Sequence, residues 1–203
     1  MTGHLHVSHG VSKLGADIPS VSLPAIVTCR HNCPCADRCY ATKGRFRFAN
    51  VKGVLRNNLE LWRSNSALYE VEAKIAAFPF HFFRWHSSGD IPDAAYLRMM
   101  VRVAQACPET KFLCFSKQYE IVNGHLDEFG SFPGNLKMVL SAWGSFVPAN
   151  PYNLPMAYVR LKGESCAIPH DAFECSKYCG DCVMTGHSCW DLEAGQSTVF
   201  NEH

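Results

Sequence analysis

Short apolar runs alternate with longer amphipathic stretches from Ser20 onward. Val51, Leu55, Leu59 and Trp62 recur at helical spacing on one face, and Leu68, Val71 and Ile75 share another. This predicts helix over Val51–Ala77, broken or kinked at Ser64-Asn65-Ser66. A second helix starts at Pro92-Asp93, carries Tyr96, Met99, Met100 and Val103, and ends at Cys107-Pro108. A weaker one lies around Gln118–Phe129. Between them fall strand candidates: Ala25–Thr28, His81–His86, Lys111–Ser116, Leu136–Ser141 and Ala157–Leu161. His81–His86 (HFFRWH) is too apolar for a half-exposed strand and suits a buried parallel one.

Strands and helices alternate at the spacing of crossover connections, which predicts an α/β fold with a parallel sheet, a partial (β/α) barrel. Each strand candidate ends on polar or reactive groups. The first runs into Cys29, the second into His86-Ser87-Ser88-Gly89-Asp90, the third into Ser116-Lys117, the fourth into Ser141 and Trp143, and the fifth toward Lys162. Parallel sheets bind ligands at the carboxyl ends of their strands, so these groups are expected around one site.

After about Gly163 the periodicity stops. The segment from Gly163 to His203 holds seven acidic residues against a single lysine, Lys177, and five cysteines. Such a stretch cannot build its own core, and a metal staple is the natural substitute. The expected organisation is a flexible N-terminal arm over 1–18, carrying His4, His6 and His9, and one α/β domain over 19–203. Within it, 163–203 is an irregular, metal-stapled, Cys-rich C-terminal extension.

Composition narrows the class. The chain has 203 residues, is 47% hydrophobic and 18% charged, and carries a net charge of +1. A disordered or fibrous chain is excluded, and whole-molecule attraction to nucleic acid or membrane has no basis in so small a charge. Eleven cysteines fall below the roughly 8–10% that marks a small disulfide scaffold. The N-terminus lacks an apolar stretch of signal-peptide length, so a cytoplasmic chain is expected, with reduced thiols.

Clustered cysteines in that setting read as metal ligands. The first cluster is Cys29-x3-Cys33-x-Cys35-x3-Cys39, with Pro34 favouring a loop wrapped around one centre. The second is Cys175-x3-Cys179-x2-Cys182-x6-Cys189. Soft thiolates select iron–sulfur clusters or zinc, and both spacings allow either. If the C-terminal segment folds back over the strand ends, the two groups share one centre; otherwise there are two. Cys107 and Cys114, at a helix end and in an apolar strand, read as core thiols. Cys166 is unassigned.

Other groups carry possible chemistry. The Gly89 turn would aim His86, Ser87, Ser88 and Asp90 at one spot, as a general acid/base pair or as a hydrogen-bonded turn. Lys117 reads as an anion ligand or a solvated lysine. Arg38, Lys43, Arg45, Arg47, Lys52 and Arg56 occur with no acid among them, interleaved with Phe46 and Phe48. They suit nucleic acid, or they offset thiolate charge, or they meet the acidic tail.

The combination Cys39-Tyr40-Ala41-x-Lys43-Gly44, Trp85-His86-x-Ser88-Gly89-Asp90, Phe115-Ser116-Lys117 and a Cys-rich C-terminus resembles the phage-borne "gene product 88" family over roughly Leu23 to Phe200. That resemblance implies a bacteriophage protein in the host bacterial cytosol and no particular activity. A more distant likeness is to radical S-adenosylmethionine enzymes, which are partial (β/α) barrels. It would place a [4Fe–4S] cluster at the first cysteine loop and Ser88-Gly89-Asp90 at the cofactor's methionine amine, with Ser87, Ser88 and Gly89 as the cofactor-binding residues. The superfamily's C-x3-C-x2-C is absent from that loop and occurs instead as Cys175, Cys179 and Cys182.

The expectation is a [4Fe–4S] protein with one or two clusters held by the eight clustered cysteines. His86, Asp90 and Lys117 would act on a small molecule or nucleotide by redox or radical chemistry, with S-adenosylmethionine as a possible cofactor. The alternative is a zinc-stapled protein without catalysis that binds nucleic acid or another partner through Arg38–Arg56. No membrane partner is expected.

Overall fold

The computed structural model describes residues 4–9, 11, 13–15, 17–64, 67–77 and 80–202. Seven strands form one open sheet: β1 (Ser20–Val21), β2 (Phe82–Trp85), β3 (Lys111–Ser116), β4 (Leu136–Ser141), β5 (Met156–Arg160), β6 (Phe173–Glu174) and β7 (Ser197–Asn201). Their order is β1-β2-β3-β4-β5-β7-β6, and every pairing is parallel. The sequential run from β1 to β5 is that of a partial (β/α) barrel. Five helices accompany it: α1 (Ala49–Arg63), α2 (Ala67–Ala77), α3 (Ala94–Ala106), α4 (Tyr119–Phe129) and α5 (Cys179–Thr185). No helix among the described residues is long and apolar enough to cross a membrane.

Strand alternation assigns the two faces of the sheet. Phe83, Trp85, Phe112, Cys114, Met138, Leu140 and Tyr158 face one way, buried with Tyr96, Leu97, Met100 and Val103 of α3 and Val122 of α4. Burying each of these large side chains contributes roughly 1.5–3 kcal/mol. Leu113, Val139 and Ala157 face the other way and pack against Leu14, Ile18, Trp190 and Leu192. Trp190 is pinned there, its indole N–H donating to the carbonyls of Phe83 and Lys111. Helices α1 to α4 therefore cover one face, and Leu14 and Ile18 with the segment from α5 to Leu192 cover the other.

Local signals explain the elements that match expectation. The Asp93 carboxylate caps α3 by accepting from the Tyr96 N–H at 2.8 Å. The helix expected over Val51–Ala77 is divided, with Ser64 capping α1; Asn65, Ser66 and the Leu68 side chain lie outside the described residues.

One expected strand is corrected. Ala25–Thr28 forms no strand. It is a turn with Ile26 48% and Val27 65% exposed, and Ile26 has φ of +69°. The first strand is the shorter Ser20–Val21, because the apolar run after it projects from the sheet as part of the cysteine loop. The described part of arm 1–18 is packed, with Leu5, Leu14 and Ile18 each at most 3% exposed; these isolated apolar residues fill gaps that only the folded sheet creates. The segment after Gly163 adds β6 and β7 to the sheet, so the Cys-rich extension is structurally continuous with the domain. Backbone pairing to β5 supplies what its sparse apolar pattern lacked.

Candidate functional site

A cleft of about 190 Å³ opens at the carboxyl ends of the strands. Cys29, Cys33, Cys35 and Cys39 border it, with Asp90, Lys117, Ser141 and Trp143 from the ends of β2, β3 and β4. The predicted convergence of strand ends therefore holds for these groups. Lys162 lies outside the lining, its backbone N–H donating to Glu202 at 2.9 Å.

The first cysteine loop wraps as Pro34 suggested, through short 3-10 turns at Ala36–Arg38 and Tyr40–Thr42. Cys33 and Cys35 approach to 3.3 Å between sulfurs, and Cys29 also hydrogen-bonds Cys33. Those two hydrogen bonds pull the Cys33 thiol far down, making it the thiolate. The same contacts, followed by burial, push Cys29 and Cys35 up. The Lys117 ammonium favours the charged form at Cys33 and Cys35. The Ile26 backbone also hydrogen-bonds Cys29. A β-branched residue at positive φ is a strained arrangement, and here it sits beside a sulfur. All eleven cysteines are free thiols.

The second group gathers around β6 and α5. Cys175 accepts from the Lys177 N–H at 3.4 Å, and Cys182 lies 2.9 Å from the Ser176 hydroxyl. Burial raises Cys179, and it pushes Cys189 up to about 12. The electrostatic neighbours of Cys179 are Arg84, Lys13, Cys175 and Cys182, whereas those of Cys33 lie in its own loop and at Lys117. Arg84 and Lys13 also line the first-loop cleft, so the two sets share these cations. Among the described residues, no three His, Cys, Asp or Glu side chains are arranged around a single metal position.

The residues after β2 are committed to holding loops together. Ser88 donates to the Leu23 carbonyl at 3.0 Å, the Ser87 N–H donates to the Ser22 hydroxyl, and the Ser87 hydroxyl to that of Ser20. Gly89 has φ of +78°, and a Cβ there would lie 2.7 Å from both the Leu23 carbonyl oxygen and the Thr28 hydroxyl. Only glycine lets these two loops approach so closely. Asp90 is buried and accepts from Ser116 Oγ at 2.6 Å and from the N–H groups of Lys117 and Ile91 at 2.8 Å each. Burial raises its carboxyl above the usual range despite these hydrogen bonds.

His86 is in the core layer, its ring between the Tyr96 hydroxyl at 3.0 Å and the Cys114 sulfur at 3.7 Å. Burial, with Arg84 nearby, lowers it to about 3. His86 therefore stays neutral in the fold, while in the unfolded chain it charges below about 6.5. The unfolded state binds the extra proton across that window, so stability falls as pH drops from 6.5 toward 3. His6 and His125 shift in the same direction, so comparison with His86→Gln isolates this ring. Urea unfolding should show the wild type losing about 3 kcal/mol more than the variant between pH 6.5 and 4. Parallel pH profiles would show that the ring is solvated.

The family comparison follows from this geometry, since the motifs around Cys39, His86–Asp90 and Lys117 border one cleft. Residues 5–181 match the family model described as Gene product 88. The chain belongs to that family. Within the matched span lie the whole first cysteine loop, β1 to β6 and the start of α5. Comparison with curated proteins and with solved structures returns no match.

Sequence reasoning missed one central member of this Gene product 88 site. Arg84 sits mid-strand on β2, lines the cleft and stacks its guanidinium 4.2 Å from the Phe115 ring centre. It makes no carboxylate ion pair among the described residues, and its charge reaches Tyr40, Cys179 and Cys189. Period-two reading of HFFRWH separates Phe83 and Trp85 from Phe82 and Arg84, so the lone cation was the available signal. Phe115, Val159 and Phe200 complete the apolar part of the lining.

Proposed function

We propose that this chain is an iron–sulfur protein whose first cysteine loop holds a [4Fe–4S] cluster over the strand-end cleft. The observation that carries the reading is the sulfur group itself: Cys29, Cys33 and Cys35 hydrogen-bonded together beside Lys117, with Cys39 in the same loop. Sulfurs so gathered, half-buried and free of disulfides suit soft-metal ligation, and a facing ammonium offsets the charge of bound thiolates. Cys175, Cys179, Cys182 and Cys189 would hold a second centre or share the first.

Such a cluster, when bound, supplies one-electron redox or radical chemistry. The chain contributes the rest. Trp143, Phe115, Val159 and Phe200 make the cleft partly apolar, and Lys117 and Arg84 present positive charge to a small molecule or nucleotide. Asp90 positions Lys117 through its backbone N–H.

Protein purified without oxygen should be brown, with broad visible absorbance and stoichiometric iron and sulfide. Colourless protein carrying zinc sinks the reading. For the radical branch, reduced protein given S-adenosylmethionine should release 5′-deoxyadenosine; none from a fully loaded cluster restricts the site to redox chemistry.

A further inference from the structure

Six cations fall between Asp37 and Glu60 with no acid among them, and the fold separates their roles. Arg38 alone meets the acidic C-terminal segment, pairing with Glu164 at 3.1 Å and Glu202 at 3.3 Å. Lys43, Arg45, Arg47, Lys52 and Arg56 are exposed and enter no ion pair among the described residues. The cations that act on the shifted cysteines are Lys117, Arg84 and Lys13. These five cations are therefore not held by the acidic segment and face solvent.

Their surroundings carry aromatic surface. Phe48 is 60% exposed, and Tyr40, also exposed, packs edge-on against Phe46 at 5.9 Å. Tyr40 and Ala41 border the cleft, and the chain continues from them through Lys43 and the 3-10 turn Gly44–Arg47 into α1. The cationic face thus begins at the mouth of the cleft. Elsewhere Asp171, Glu174, Asp181, Asp191 and Glu193 line an acidic groove. A polyanion is attracted to the cationic face and repelled by this groove.

We infer that Lys43, Arg45, Arg47, Lys52 and Arg56, with Phe48 and Tyr40, dock a single-stranded nucleic acid across the mouth of the cysteine cleft. This deepens the proposed reading by naming a polynucleotide as the substrate class. Exposed cations set among rings match phosphates and bases that alternate along one strand. A lipid surface fits less well, because α1 buries its apolar side, Leu55 and Leu59, against the domain and has none to insert.

The test is fluorescence anisotropy of a labelled oligothymidylate of about twenty nucleotides across a salt series. The full chain should bind it, and Arg45→Ala with Arg47→Ala should weaken binding by about tenfold and flatten the log–log salt slope by about 1.4. Arg98→Ala with Arg102→Ala removes the same charge from the exposed side of α3 and should leave both unchanged. Absence of binding at low salt overturns the inference, as does equal weakening in the α3 variant. Binding to anionic phosphatidylserine vesicles in place of the oligonucleotide, lost in the same variant, would reassign the face to membranes and overturn it too. The result is separable from the cluster reading. Colourless protein that still binds the strand sinks only the cluster; brown protein that does not bind sinks only the docking face.

Discussion

Cys33→Ser is expected to yield protein without the visible absorbance and iron of the proposed first centre. Cys33 is the middle sulfur of three, hydrogen-bonded to both Cys29 and Cys35. A serine hydroxyl stays protonated at neutral pH and is a hard, weak ligand, so soft-metal affinity at the loop collapses. The loop makes few apolar contacts, so the polypeptide itself should stay folded by circular dichroism. Cys107→Ser supplies the control, since Cys107 caps α3 away from the cleft. It should keep full iron. Cys182→Ser should remove iron from the second centre alone, and loss of all iron in that variant would mean the two groups share one. Unchanged iron in Cys33→Ser would exclude the first loop as a ligand source.

The second large effect is on stability. Asp90→Ala removes the acceptor for three donors, Ser116 Oγ, Lys117 N–H and Ile91 N–H, in a site with almost no solvent access. Each orphaned buried donor costs about 1–3 kcal/mol. Part is offset, because the raised carboxyl shows that burial already penalises the ionised form. The net loss should be about 3 kcal/mol, a fall in Tm on the order of 10 °C for a domain of this size. Asp90→Asn keeps the shape and two of the contacts but sets its amide against the Lys117 N–H, so about 1 kcal/mol is expected. Thermal and urea unfolding check both. An Asp90→Ala protein as stable as the wild type would show that the β2 and β3 loops are tied elsewhere.

The contrast between Asp90 and His86 shows how far residue type reaches. Both follow β2 and both are polar, so sequence reading aimed them at one spot. In the fold both border the cleft, but neither is free there: the Asp90 oxygens are taken by backbone and Ser116, and the His86 ring nitrogens by Tyr96 and Cys114. His86 has φ of +61° and Gly89 +78°, so the chain turns twice within four residues. Those turns bring each polar group onto a partner distant in the chain, and no spacing rule encodes that. Arg84 illustrates the reverse case. Its direction followed from strand alternation, but its importance came from Cys179 and Cys189, which lie about a hundred residues away in sequence.

The sequence by itself determined the parallel α/β plan, β3 and β4 to the residue, the start of α3 at Asp93 and the gathering of reactive groups at strand ends. These rest on local periodicity, capping and strand polarity, which act over a few residues. Tertiary structure decided what depends on partners distant in the chain. It packed Leu5, Leu14 and Ile18 of the N-terminal arm, and drew the segment after Gly163 into the sheet as β6 and β7. It also divided the six cations into one that ties Glu164 and Glu202 and five left facing solvent. Backbone pairing and charge contact both require surfaces that exist only once the sheet has formed.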